Sequence, residues 1–467
     1  MKGDFTRVTF DFGKHYSRVL QQQGRVQLDA DQNEASDIQL HFLRGLAADL
    51  IGPHGGPGNS FKISVEVVSG NPVSLDFRIL PGDYYVDGIL CENEGAGRLY
   101  TEQPDFPLPA DSVLKGENTY LAYLDVWERH ITEIEDEDEN RIGIREVALR
   151  GPDTATRSKI TWQVKTQSIN AAQENQLKNT DAQAAYDAFR SILGKSPLGT
   201  IMLRARAIKP AKGDEPCLVS PQAQYRGAEN QLYRVEIHRG GAAWNGELDK
   251  NKPSGNNRQA ATFKWSRENG SVIFRIRKLS GTTVTLENLG HDTRFGLRPD
   301  DWVEIVDDDY VLQNREEPLL QISSIDRDNV TITLKFGPSS KVGTVAAKHP
   351  LLRRWDARSG WMDEGAVLVQ EGSGNDDSDW IELEDAVQIQ FPLSGGKSYN
   401  VGDYWLIPAR VATGDVEWHG PTGDPTPQKP NGVEHHYAPL GIVQVSAGGQ
   451  IGALPTDLRR VVKQLWA

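Results

Sequence analysis

Gly395-Gly396-Lys397-Ser398 has the ending of a phosphate-binding P-loop. That loop also needs a glycine five residues before its second one, so that backbone amides can wrap a phosphate. Phe391 stands there, and the phosphate reading fails. His435-His436 offers imidazoles for a metal, with His419 or Glu434 as further ligands. Adjacent strand residues point to opposite faces, so this pair serves one ion only across a bulge. Hydrogen bonding beside Tyr437 is the simpler use, and the spacing leaves both open. Carboxylates gather in Glu133–Glu139 (EIEDEDE), Asp307–Asp309 and Asp376–Asp379. Lacking the turn glycine and distal glutamate of a calcium loop, these runs read as solvated turns. Glycoside hydrolysis needs two carboxyl groups about 5–10 Å apart in an aromatic-lined groove. The 11 Trp and 65 acidic residues supply the types, but no spacing singles out a pair. Cys91 and Cys217 carry no nucleophile motif and read as small packed residues. No catalytic residue, metal or cofactor is assigned.

The chain that must position any such group has 467 residues and a net charge of −14. Such a chain repels phosphate, so nucleic acid is not an expected partner. No apolar run approaches the ~20 residues of a membrane span. Two cysteines exclude a disulfide scaffold and a four-thiolate zinc site. Met1–Leu20 has no apolar core of the secretory type, so cytoplasmic residence is expected. The 45 Gly, 11 Trp and many short Val/Ile/Thr runs indicate a mainly β, multi-domain protein of small antiparallel sandwiches or barrels.

Five divisions are expected. Residues 1–60 form an arm and an anchoring helix. In the arm, Met1–Leu28, five basic residues stand against Asp4 and Asp11, with Phe5, Phe10, Phe12 and Tyr16 among them. The helix is expected to cap at Asp31 with Glu34 three residues on, and to run through Ile38, Phe42, Leu46 and Leu50 to Gly52-Pro53. Residues 61–166 alternate as strands, beginning with Phe61, Ile63, Val65 and Val67, with a hairpin turn at Asp87-Gly88. Residues 167–197 hold a helical connector or insertion. Residues 198–345 form a sandwich or barrel, with Asn269-Gly270 as the best hairpin signal and a meander from Trp302 to Leu334. Residues 346–467 form a C-terminal β domain, broken by a long loop over Gly414–Gly432. Trp127, Trp265, Trp302, Trp380 and Trp405 fall in alternating strands and are expected in cores.

Several long passages carry a resemblance. They include FTRVTFDFGKHYSRVLQQQGRVQLDADQNE at Phe5–Glu34, PGDYYVDGILCENE at Pro81–Glu94 and LDVWERHIT at Leu124–Thr132. REVALRGPDTATRSKITWQVK at Arg145–Lys165, ENQLYRVEIHRGG at Glu229–Gly241, ATFKWSRENGSV at Ala261–Val272, GDYWLIPAR at Gly402–Arg410 and HHYAPL at His435–Leu440 extend it across almost the whole chain. The chain resembles a bacterial family of unassigned function that occurs with extracellular contractile injection systems, the phage-tail-like particles. Its opening is also similar to the attachment domains of phage baseplate and tail-fibre proteins, in which an arm and helix anchor the subunit and a small β domain follows.

The resemblance implies a structural, non-enzymatic part at or near a baseplate: a fibre, cage or anchoring element, in a particle released or membrane-tethered. Its expected partners are other baseplate and tail proteins and further copies of itself in a symmetric assembly. The basic, aromatic arm is the expected contact, through Arg7, Lys14, Tyr16, Arg18 and Arg25 with Phe5, Phe10 and Phe12 as apolar anchors. The alternative is that the arm packs on its own domain. Two other functions stay in view: a module binding glycan or a membrane-associated receptor through exposed Trp361, Trp418 and Tyr437, and a particle-borne carbohydrate hydrolase.

Overall fold

The computed structural model describes the chain apart from residues 66–75, 110–111, 113, 137–142, 150–153, 208–223, 247–259, 291, 293, 358–361, 375, 422–423, 448–450, 453–454 and 464–467. The protein is mainly β, in several mostly antiparallel sheets and one closed six-stranded barrel. The sheets draw strands from distant parts of the chain. The long strands Asn118–Ile131 and Arg157–Ile169 pair along their length, and His436–Val445 from the far end of the chain flanks the first of them. Val461–Val462 likewise joins a sheet with His54–Pro57, Gly82–Val86 and Ile89–Asn93. Residues 54–131 and the last described strands therefore share one body, whose core includes Phe61, Tyr84, Leu124, Val164 and Leu440. Helices α2 (Ala171–Leu177) and α3 (Ala182–Leu193) cover the outer face of the long sheet, packing Leu177, Phe189 and Leu193 on Leu121, Tyr123 and Tyr437.

The central body is a sandwich. One sheet has six strands, including Ala366–Leu368, Thr262–Ser266, Gln231–Arg239 and Tyr404–Arg410; the other is built around Val387–Pro392 and Arg204–Ala207. In Gln231–Arg239 alternate residues Tyr233, Val235 and Ile237 enter this core. The barrel, with strands from Ile273–Ser280 to Leu351–Trp355, is inserted between Thr262–Ser266 and Ala366–Leu368 of that sheet. It lies against the back of the sheet, where Lys264 reaches Glu304.

Three local expectations are corrected. Asp87-Gly88 does close a hairpin, with Val86 opposite Ile89. Asn269-Gly270 adopts the same left-handed conformation, φ 51° and 68°, but carries the chain from the central sheet into the barrel. Its flanking strands pair elsewhere, so it makes no hairpin. Helix α1 spans Asp29–Ile51 and starts before Asp31, because Asp29 and Glu34 accept hydrogen bonds from Thr6 and Thr9 of the arm. Of the strand expected over Phe61–Val67, only Ile63–Ser64 is a strand, and residues 66 and 67 lie outside the described residues.

Candidate functional site

The back face of Gln231–Arg239 carries Arg234, Glu236 and His238, the alternates of its core residues. All three are buried, as is Lys264 on the next strand. The barrel covers them with Glu304, Arg353 and Trp355. The first residues of the arm close this seam. Glu236 accepts from Lys2 at 3.0 Å, from Arg234 at 2.6 Å and from Lys264 at 3.4 Å. Glu304 accepts from Lys264 at 2.7 Å, the Tyr310 hydroxyl at 3.0 Å and the Trp355 indole at 2.9 Å. Asn269, in the turn that makes no hairpin, donates to the carbonyls of Met1 and Gly3 at 3.2 and 2.9 Å. The Met1 amine donates to the Tyr404 hydroxyl at 2.7 Å. The Phe5 ring meets His130 edge-on, 6.2 Å between centroids.

The charges of this seam are set by one another. Burial alone would raise the Glu236 carboxyl, but Lys2, Arg234 and Lys264 hold it well below the carboxylate range. Glu304, also opposed by burial, is held at about 2 by Lys264 and its neighbours. Burial pushes Lys2 down to about 8 against the pull of Glu236. Burial, then the Met1 amine and three further cations, push His130 down to about 2, so it is neutral.

Beyond the root the arm passes from the edge of the central sheet to α1. Arg7 pairs with Glu417 at 3.0 Å, Thr9 donates to Glu34 at 2.7 Å, and Phe10 lies 5.8 Å from His41 of α1. Phe5, Arg7 and Phe10 thus contact their own chain, as the alternative reading of the arm has it, while staying partly exposed. The stretch from Phe12 to Leu28 then runs out and back between Thr9 and the start of α1 as a projecting loop. It opens on a short 3-10 turn, Phe12–Lys14, capped by Asp11. Phe12 is 72% exposed and Val26 83% exposed; Tyr16, Leu20 and Leu28 are exposed too. Lys14, Arg18 and Arg25 are exposed, and their side chains have no ion pair or hydrogen bond among the described residues.

Helix α1 follows the loop in the chain. It buries Ala30 and Ile38, while Arg44 turns back to Glu128. Gly88 lets the helix lie close, since a Cβ there would strike the Arg44 backbone. The apolar stripe read along this helix, Phe42, Leu46 and Leu50, is exposed together with Leu40 and Leu43, Leu50 at 75%. Only Ile38 of that series is in the core.

The other candidates disperse. Trp361 lies outside the described residues. Trp418 is half-buried against the central core and donates to Thr426 at 2.9 Å. Tyr437 is buried in a strand beneath α3, and is no loop-tip aromatic. His435 and His436 reach separate carboxylates, Asp125 at 2.7 Å and Asp87 at 2.9 Å. The acidic runs do structural work as well. Glu135 pairs with Arg129 at 3.1 Å, Asp307 caps the short helix α4 (Asp308–Leu312), and Asp377 pairs with Arg206 at 2.8 Å. They are ion-paired or capping rather than simply solvated; residues 137–139 of the first run lie outside the described residues, as does Cys217. Cys91 is buried, and burial pushes its thiol far up.

A cavity of about 320 Å³ opens at the mouth of the barrel. Trp302, Leu319, Leu320 and Val342 form its walls, Glu304, Glu317 and Glu364 are its carboxylates, and Phe336, 76% exposed, stands at its lip. This brings a tryptophan and three carboxylates together, which the sequence did not single out. Each carboxylate is engaged: Glu304 as above, Glu317 with Arg315, and Glu364 with Arg239 at 3.6 Å. A proton donor for glycoside cleavage needs a raised pKa, and Glu304 is held ionised. Burial does raise Glu384 to about 7, but it binds Arg267 at 2.7 Å in the central body, outside the cavity lining.

A family model, described as a family of unknown function (DUF6519), matches residues 1–196 and 176–451, and the chain belongs to that family. No curated protein and no solved structure matches the chain. Among the described residues no helix is long and apolar enough to cross a membrane.

Proposed function

We propose that this protein is a structural, non-enzymatic subunit of a contractile injection particle, joined to its neighbours by the projecting loop Phe12–Leu28 and the apolar ridge of α1. The resemblance in sequence is what supports this kind of particle. The observation that carries the assembly role is the number of large apolar side chains left exposed on these two successive segments, Phe12, Tyr16, Leu20, Val26 and Leu28 on the loop and Phe42, Leu43, Leu46 and Leu50 on α1. A subunit that stays alone rarely leaves so many large apolar side chains in solvent, and exposed apolar surface of this extent marks an interface. The loop adds three cations and no carboxylate, on a chain of net charge −14. That contrast favours docking on an acidic surface and rejects cationic ones. Many copies in a symmetric particle turn a modest contact into firm attachment.

The test is a strain whose chain carries Leu43→Glu and Leu46→Glu, both at exposed positions. The variant is expected to fold, with an unchanged circular dichroism spectrum, and to be lost from purified particles when subunits are counted by quantitative mass spectrometry. Retention at the wild-type copy number, or absence of the wild-type chain from any tail-like particle, sinks the reading.

A further inference from the structure

We infer that α1 packs against the α1 helices of further copies of this chain, parallel and in register around one axis, through Gln32, Ser36, Gln39, Leu43, Leu46 and Leu50. The inference rests on the assembly reading and names the partner of the helix. Its first ground is where the charges of α1 point. Between residues 32 and 48 the helix has three charged side chains, Glu34, Asp37 and Arg44. All three turn towards their own chain: Glu34 accepts from Thr9, Arg44 pairs with Glu128, and Asp37 is half-buried. A surface helix ordinarily does the reverse, with its apolar side inward and its charges in solvent. A charge buried without a partner is costly, so whatever covers this outward face must be uncharged over the ~27 Å from residue 32 to residue 50. Outside the arm and α1, exposed large apolar side chains occur singly among the described residues. The surface of this chain that meets the requirement is the α1 face itself.

The second ground is spacing. Leu43, Leu46 and Leu50 recur at steps of three and four residues, and Gln39, Ser36 and Gln32 continue the same seam back towards the start of α1. Six residues at alternating three and four form the inner seam of a coiled coil about three heptads long. All six are exposed. Of the positions that flank the seam, Asn33, Ala35, Leu40, Phe42 and Ala47 are uncharged and Asp49 alone is charged. A two-stranded seam is narrow and is bordered by charges. A wide uncharged face touches two neighbours at once, which sets at least three copies around the axis.

The third ground is direction. The seam is divided, with polar uncharged residues in its first half and leucines in its second. Parallel helices in register set leucine against leucine and amide against amide. The Gln32 and Gln39 amides have no side-chain partner in their own chain among the described residues. Each is both donor and acceptor, so it can bond to its own copies. Ser36 already donates to the Gln32 carbonyl at 3.2 Å. Polar layers of this kind fix the register of a coiled coil. Antiparallel helices overlapping along the whole seam set the leucines against Gln32, Ser36 and Gln39, and bury amides without partners. Overlap of the leucines alone uses only about two turns.

The test uses the full chain with Cys217→Ser; Cys91 is buried and offers no competing thiol. Gln39→Cys and Leu46→Cys, introduced singly and oxidised, are each expected to give a disulfide between the same residue of two copies. A parallel bundle links both sites, whereas an antiparallel pair links at most one. Sedimentation velocity of the wild-type chain should show a closed species of three or more copies that persists in 1 M salt, because no charge lies in the seam. Leu43→Glu with Leu46→Glu should weaken that association at least tenfold. A monomer, a dimer, or a same-site disulfide at one position only overturns the inference. A monomer in solution whose α1 disulfides form only with a different subunit of the particle also overturns it, yet leaves the assembly reading standing. Self-association without incorporation into any particle sinks the assembly reading and leaves the pairing of helices intact.

Discussion

The root of the arm, Met1–Phe5, and the loop Phe12–Leu28 both mix aromatic and basic side chains. The root finds partners inside its own chain. Lys2 meets Glu236, Phe5 meets His130, and two backbone carbonyls meet Asn269. The loop finds none: its cations have no side-chain partners among the described residues, and its rings stand in solvent. A buried charge is tolerated only when paired and hydrogen-bonded, so the seam must have its carboxylates to exist. An exposed charge makes no such demand on the fold. The root therefore reports on stability, and the loop on what the molecule meets.

The sharpest way to break this contrast is to remove the carboxylate that three cations share. Glu236→Ala leaves Lys2, Arg234 and Lys264 facing one another in a buried seam. Breaking a buried pair from one side typically costs ~3–5 kcal/mol, and a loss in that range is expected in urea unfolding. A loss below ~1 kcal/mol, the scale of an exposed pair, would show that the root is not sealed as described.

Acid probes the same seam. The Glu304 carboxyl is at about 2 in the folded protein against an ordinary 4.5. The unfolded chain thus takes up the proton first, and its stabilisation is complete above the ordinary value. It is lost as pH falls from about 4.5 towards 2, on the order of 3 kcal/mol for this group. Asp125, held at about 2 by His435 and Lys165 against burial, adds a loss of the same sign. Glu304→Gln should flatten the acid limb of stability against pH, measured by urea midpoints from pH 6 to 3. An unchanged slope would mean that Lys264 and Glu304 are not coupled.

The sequence showed the loop and hid the seam, for a physical reason. Alternation in Tyr233–His238 tells which residues share a face, but not whether a barrel and an arm cover the polar one. The mainly β class, the helical pair on residues 171–193 and the Asp87-Gly88 hairpin depend on local signals and were legible. Asn269-Gly270 gave the correct turn conformation and the wrong pairing, because a turn fixes direction while strand partners are chosen at long range. The α1 stripe was legible as an apolar face, but periodicity does not say which chain covers it. Asp31 and Glu34 looked like a local cap, and distant threonines of the arm took Asp29 and Glu34 instead.

Between root and loop lies an intermediate case. Arg7 and Glu417 are both partly exposed, at 38% and 40% of their side-chain surface. Exposed pairs contribute ~0–1 kcal/mol, so Arg7→Ala should lower stability by no more than that. A larger loss would extend the sealed root as far as residue 7 and shorten the free segment.

The smallest effect on folding is expected where the effect on assembly is largest. Lys14→Glu, Arg18→Glu and Arg25→Glu together reverse three charges that touch nothing in their own chain among the described residues. Surface changes away from caps, pairs and cores usually stay within ~0.5 kcal/mol each, so the unfolding midpoint should barely move. The same changes replace attraction to an acidic neighbour by repulsion, which slows encounter and opposes docking. Salt then separates the two explanations for a loss of assembly. Screening has a length of ~8 Å at physiological ionic strength and ~3 Å at 1 M. If charge is the cause, self-association of the wild-type chain should weaken with added salt and that of the triple variant should improve. If both respond alike, the apolar ridge of α1 and the rings of the loop carry the contact, and the cations only accompany them.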